Sequence, residues 1–311
     1  MTKRATREAY GKALAELGEK NKDIVVLDAD LSGSTKTAKF GEKFPDRFFN
    51  AGIAEANMMG VAAGLATTGK VVFASTFAIF ASMRACEQIR NSICYPNLNV
   101  KIAATHAGIT VGPDGGSHQA IEDVAIMSAM PNMTVVVPGD GVSTEALIKQ
   151  AYEYEGPVYI RMSRAKVEDV YPEDTYFSIG QSNMLQDGKD ATIIVSGYLL
   201  NYSIEAAKIL KEQGINVRLI DMSTIKPLDV GSVLKAAKDT KAIVTVEEHN
   251  VIGGLGSAVA SFLAENHPTP IQMVGIRDVF GHSGEAEELL EEYNLTPKDI
   301  VKAVKEVIDR K

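Results

Sequence analysis

One carboxylate stands where its neighbours are apolar. Residues 50–69 read NAGIAEANMMGVAAGLATTG, mostly small and apolar from Ala54 onward, with Glu55 near the start of that run. An acidic residue in the first turn of a helix is favoured by the helix dipole and needs no other role. The chemical reading is that a desolvated carboxyl holds its proton to higher pH and can share it near neutrality. Further along, His106 and His118, two of only five histidines, bracket THAGITVGPDGGSHQ, a glycine-rich loop that also carries Asp114. Imidazole titrates close to neutral pH, which suits proton transfer and hydroxyl recognition. Phe77 and Phe80, in STFAIF, stand three apart, so on a helix both would face one pocket.

These residues need a scaffold, and the hydrophobic pattern supplies one. Short apolar runs recur as IVVLDAD (24–30), KVVFAS (70–75), VKIAATH (100–106), TVVVPGD (134–140) and VYIRMS (158–163). Helical stretches such as EAYGKALAELGEK, FAIFASMRACEQIRNSI and STEALIKQAYEYEG separate them. Uniformly apolar strands alternating with helices predict a mainly parallel sheet covered on both faces. The pattern lapses into AKVEDVYPEDTYFSIGQSN, then resumes with ATIIVSG (191–197), NVRLIDMS (216–223), AIVTVEEH (242–249) and IQMVGIRD (271–278). The expected fold class is α/β, with one domain over 1–170, a linker over 171–185 and a second domain over 186–311. In such sheets ligands gather at the carboxyl ends of the strands. The segments there are DADLSGST, ASTF, the His106–His118 loop and the SR pair at 163–164.

Bulk properties narrow the function further. The chain has 311 residues, 45% hydrophobic and 23% charged, and a net charge of −8. No basic field awaits nucleic acid or an anionic membrane, so a phosphorylated ligand would need a few local cations. Cys86 and Cys94, the only cysteines, have no metal-like spacing and read as reduced, buried helix residues. The charged opening MTKRATREAYGKALAELGEKNKD lacks the apolar core of a signal peptide, and no apolar stretch is long enough to span a bilayer. A cytoplasmic protein is expected. Two glycine patterns read as decoys. GGLGSAV (253–259) looks like a tight turn into a helix, and GDG (139–141) would open a thiamine diphosphate and magnesium motif. That motif needs an asparagine soon afterwards, and the first one here is Asn183. No metal site is expected in this chain.

Taken together, Glu55, the STFAIF helix start, THAGITVGPDGGSHQ and RMSR resemble the transketolase family. The match is to the second half of a transketolase, its pyrimidine-binding domain followed by its C-terminal domain, and it spans essentially the whole chain. The missing GDG…N motif agrees, because in that family it belongs to the first half. The resemblance therefore implies one subunit of a split enzyme, completed by a separate N-terminal transketolase subunit in an α2β2 heterotetramer. It implies thiamine diphosphate and Mg2+ as cofactors, the metal and diphosphate held mainly by the partner, and sugar phosphates as substrates.

The resemblance also gives the residues roles. Glu55 would hydrogen-bond the cofactor's aminopyrimidine nitrogen and favour the imino tautomer that activates the thiazolium carbon. Phe77 and Phe80 would enclose the pyrimidine, with Met83 standing where the family often has a third aromatic. His106 would lie beside the reacting carbon and the cofactor phosphates, Asp114 would bind a sugar hydroxyl, and His118 would shuttle a proton or bind a hydroxyl. Arg7, Ser34 and Arg164 match phosphate-binding positions. His249, in VEEHNVIGGLG, reads as a buried hydrogen-bonding residue and His282 as a loop residue. The implied reaction is transfer of a two-carbon ketol unit from a ketose phosphate of the xylulose 5-phosphate type to an aldose phosphate of the ribose 5-phosphate type, within pentose phosphate metabolism. The alternatives are the beta subunit of a 2-oxoacid dehydrogenase decarboxylase component, a deoxyxylulose-phosphate synthase-like enzyme, and a non-catalytic transketolase-like binding module.

Overall fold

Every apolar run named above forms a strand. The structure, a computed structural model, describes residues 3–311. Its larger sheet has seven strands in the spatial order Thr224–Lys226, Thr134–Val136, Val158–Arg161, Val100–Thr105, Val71–Phe77, Ile24–Asp28 and Phe48–Asn50. All neighbours are parallel except the first pair. Ile24–Asp28, Val71–Phe77 and Val100–Thr105 are buried along their whole length, as expected of strands covered on both faces. The second sheet has the order Ile271–Ile276, Ile243–Asn250, Ala191–Val195, Val217–Asp221 and Asn183–Gln186, with only the last strand antiparallel. The fold is two α/β domains with helices on both faces of mainly parallel sheets.

After Ile24–Asp28 the chain pairs first on one side, at Phe48–Asn50, and then on the other, at Val71–Phe77. That reversal is a topological switch point, and it opens a crevice at the carboxyl ends of these strands.

Three connections were not legible in the pattern. Thr224–Lys226, from the C-terminal half, joins the first sheet antiparallel to Thr134–Val136. Lys226 then ties it down, donating to the carbonyls of Ser128 (2.9 Å) and Met130 (2.6 Å). Lys3–Ala5 pairs with Lys166–Glu168. The irregular stretch is also more ordered than its composition suggests. Tyr171 and Phe177 are buried in the core, and Asn183–Gln186 forms the edge strand of the second sheet. Three- and four-residue strands are too short to show a period of two.

Both decoy glycine patterns have structural uses. Asp140 of the GDG triplet is the N-cap of helix Gly141–Glu153, accepting from Ser143 N at 2.7 Å. It also accepts from the backbone N–H groups of Val170 and Tyr171. GGLGSAV turns into helix Leu255–Asn266, whose first N–H groups, on Leu255 and Gly256, donate to the buried Glu247 carboxyl. Both cysteines are free thiols; Cys94 is buried, but Cys86 is only half-buried. No helix among the described residues is long and apolar enough to cross a membrane.

Candidate active site

Glu55 is the first residue of helix Glu55–Ala66, where the helix dipole favours a carboxylate. The dipole does not require burial, yet Glu55 is only 4% exposed. A charge taken out of water needs a partner. Arg84 supplies it, donating from Nη1 to Glu55 Oε1 at 3.1 Å. The other carboxylate oxygen has no hydrogen bond among the described residues. Arg84 lies on a wide, π-type helical turn, Phe80–Arg84, that follows the end of the Val71–Phe77 strand. Ser82 bonds back to the Ala78 carbonyl at 2.7 Å there, which helps bend the helix.

From Glu55 a continuous row of side chains crosses the switch point. The Arg84 guanidinium carbon sits 3.9 Å above the centre of the Phe80 ring. Phe80 is nearly parallel to Phe77, with centroids 5.7 Å apart and planes at 15°. Phe77 in turn stacks on His106 at 3.8 Å and 24°, while His118 meets Phe80 edge-on at 5.4 Å. The two phenylalanines are not on one helix. Phe77 closes the strand and Phe80 opens the helical turn after it, so a strand-to-helix corner brings the rings together. Met83 points elsewhere enough to be 45% exposed.

The histidine loop follows the next strand, Val100–Thr105. His106 has φ +57, in the left-handed region that few residues other than glycine adopt. Gly108 (φ +81) then turns the chain into a short helical segment, Ile109–Asp114. A Cβ at Gly108 would collide with the Glu248 carboxyl, so this position needs glycine for space as well as for its φ. The Thr105 hydroxyl holds His106 Nδ1 at 2.8 Å, and the Ser117 hydroxyl holds His118 Nδ1 at 3.0 Å. In both rings Nε2 is the nitrogen left for a ligand.

Cations gather beside this loop. Arg7 donates from Nη1 to the Ser34 carbonyl at 2.7 Å, and its buried Nε has no partner. Arg164 donates to the Val111 carbonyl at 2.5 Å and faces Asp114 at 3.5 Å. Burial, reinforced by Arg164, pushes the Arg7 guanidinium below its ordinary pKa. A half-buried pair of arginines that repel one another, with the Asp114 carboxylate beside Arg164 alone, is suited to a phosphate dianion.

Burial pushes the His106 imidazole down to about 3, and Arg7, Arg164, His118 and Lys36 push it the same way. The ring is therefore neutral at physiological pH and can accept a hydrogen bond. Its nuclear magnetic resonance signals are expected to stay flat between about pH 8 and pH 5; a midpoint near the ordinary 6.5 would contradict this environment. The unfolded chain takes up this proton near 6.5 and the folded chain only near 3, so acid favours unfolding across that window.

Sequence reading and structure thus meet on one region. Glu55, Phe77, Phe80, His106 and His118 form the row, and Arg7, Ser34, Asp114 and Arg164 border it. Two residues went unnoticed. Arg84 stands four residues past Phe80, a spacing that puts both on one helical face. Lys36 carries no sequence signal beyond its place just after SGST. His249 is buried, with Nδ1 at 2.6 Å from the Asn250 carbonyl, as read. His282 lies in a loop beside Tyr293. A cavity of about 530 Å³ at the domain junction, lined by Lys166, Glu168, Tyr198, Tyr202 and Glu287, shares no residue with the row. Among the described residues no group of three or more His, Cys, Asp or Glu is placed to hold a metal ion.

Known proteins share this arrangement of domains. A family model described as transketolase, pyrimidine binding domain, matches residues 2–169, and one described as transketolase, C-terminal domain, matches residues 180–300. A protein of Methanocaldococcus jannaschii named as a transketolase C-terminal section is 54% identical over 303 residues, 96% of this chain and 95% of that protein. A 6-deoxy-6-sulfo-D-fructose transketolase subunit of Clostridium sp. (strain MSTE9) is 43% identical over 305 residues, 98% of this chain and 95% of that one. A solved structure described as a split gene transketolase, an inactive beta4 tetramer, superposes with a TM-score of 0.93 at 56% identity, covering 98% of this chain and 99% of its own.

Proposed function

Because this chain belongs to the transketolase family, we propose that it is the second subunit of a two-chain transketolase and carries the proton-transferring and substrate-binding side of its site. The assembled enzyme would move a two-carbon ketol unit from a ketose phosphate to an aldose phosphate. The observation that carries this reading is the row itself: a buried carboxylate, joined through Arg84 and two aromatic rings to a neutral histidine, beside two half-buried arginines.

The row also fits the cofactor the family implies. Thiamine diphosphate, when bound, supplies the nucleophilic carbon that carries the ketol unit. Glu55, with one carboxylate oxygen free of hydrogen bonds, would hold a proton against a ring nitrogen of the aminopyrimidine, and Phe77 and Phe80 would wall the pocket for that ring. The diphosphate and its Mg2+ would fall mainly to an N-terminal subunit bearing a GDG…N motif. His106 and His118 would accept or pass protons of substrate hydroxyls at Nε2. Asp114 would accept from a sugar hydroxyl, and Arg7, Ser34 and Arg164 would hold the phosphate.

Two relatives support the division of labour. One is named as a C-terminal section, and the other is a beta4 tetramer described as inactive. An α2β2 assembly with an N-terminal subunit accords with both. The deciding assay uses xylulose 5-phosphate and ribose 5-phosphate with thiamine diphosphate and Mg2+. It compares this chain alone, the candidate N-terminal subunit alone, and the two mixed. Ketol transfer is expected only in the mixture. Turnover of pyruvate instead would move the chain to the 2-oxoacid decarboxylases. A parallel arm with 6-deoxy-6-sulfofructose asks whether the donor resembles that of the Clostridium relative.

A further inference from the structure

The VEEH stretch of the second domain has a use that the roles above leave out. Glu247 closes the start of helix Leu255–Asn266, but its neighbour Glu248 reaches in the opposite direction, into the first domain. Its Oε1 accepts from Thr110 N at 2.6 Å, across the domain boundary, and both residues are only 2% exposed. Its carboxyl occupies the space that a side chain at Gly108 would take. The Glu248 backbone is anchored too, because its carbonyl accepts from Arg161 Nη2 at 3.0 Å, and Arg161 is itself held by Asp123 at 2.9 Å. On the loop side, Gly108 N donates to the Ala120 carbonyl and Ala107 N to the Met162 carbonyl. The turn Gly108–Thr110 is thus gripped from below, two residues beyond the left-handed His106.

We infer that Glu248 is a positioning residue, which fixes the turn after His106 and so sets the direction in which that imidazole faces its ligand. His106 is held in a backbone conformation that a non-glycine residue leaves readily unless its surroundings prevent it. The Thr105 hydroxyl controls only the ring; the backbone after it is held by Met162 and Ala120 within the first domain and, at Thr110, by Glu248 from the second. Burial pushes the Glu248 carboxyl up to about 7, while Arg161 and the Thr110 N–H act against this. Through this contact the second domain takes part in the site without touching substrate. The catalytic half of the inference rests on the transketolase reading of His106; the structural half does not.

The test combines amide hydrogen exchange on the full chain with kinetics of the assembled enzyme, for the wild type, Glu248→Ala and Glu248→Gln. Alanine removes the acceptor, so exchange across 106–114 is expected to rise about tenfold or more, while the strand Val100–Thr105 and the helix Glu55–Ala66 keep wild-type rates. Glutamine retains an oxygen acceptor and should restore slow exchange. In the assembled enzyme, alanine should lower kcat about tenfold with KM for the phosphorylated sugars within about twofold, and glutamine should recover most of it. Unchanged loop exchange in the alanine variant overturns the inference. So does a uniform rise across both domains, which would mean that Glu248 acts on folding alone. Loop release in a wild-type background that transfers no ketol unit would sink the transketolase reading and leave the clamp standing.

Discussion

Glu55→Gln in the assembled enzyme is expected to lower kcat by about a hundredfold or more, with little change in KM for either sugar. Glutamine fills the same volume and can still accept from Arg84 at the oxygen that Glu55 Oε1 occupies. What it loses is the ability to give up and regain a proton. The change therefore separates proton transfer from packing, which a change to alanine would not. Removing a buried, paired carboxylate also relieves a desolvation cost, so the melting temperature should hold or rise. Steady-state kinetics and thermal melting on the same preparation check both parts. A variant with near wild-type kcat would return Glu55 to the bland role of a helix-start carboxylate.

The second large effect is expected at the phosphate end. Arg164→Ala should raise KM for a phosphorylated aldose about ten- to a hundredfold, the usual weight of a hydrogen bond to a charged group. It should leave kcat/KM for an unphosphorylated aldose of the same length nearly unchanged. The contrast matters because Arg164 also donates to Val111 and faces Asp114, so its loss could loosen the loop for every substrate. Arg164→Lys is the control. Lysine keeps the charge but not the planar fork, and should recover only part of the affinity. Equal losses for both aldoses would make Arg164 a loop support and leave Arg7 as the remaining candidate for the phosphate.

Much of this was legible from residue type. A carboxylate in an apolar run, and two histidines around a glycine-rich loop, are exceptions to hydrophobic patterning, and such exceptions mark places where something other than packing decides. The central strands of both sheets were legible for the opposite reason, since burial on both faces leaves long uniform runs, whereas the short edge strands Thr224–Lys226, Phe48–Asn50 and Asn183–Gln186 were not. Arg84 was hidden because a charged residue on a helix is usually a solvated one; only the fold shows that it reaches a buried carboxylate. Glu248 was hidden because its partner is a backbone N–H in the other half of the chain, and an N–H has no letter in the sequence. The corner that joins Phe77 to Phe80 was misread as helix, since a strand ending and a helix beginning within three residues leave no room for either period to appear.

The short strand Thr224–Lys226 bears on how this chain can be recombined. It comes from beyond the linker yet completes the edge of the first sheet, next to Thr134–Val136. The boundary visible in the sequence is therefore not a seam along which the protein comes apart. A fragment that ends at the linker would leave the Thr134–Val136 edge bare, with open N–H and C=O groups that invite another strand. A chimera joined there would need the incoming half to bring a matching strand, with a cation placed like Lys226 to close the carbonyls of Ser128 and Met130. The two halves share one sheet, and a shuffled gene that honours only the linker would break it.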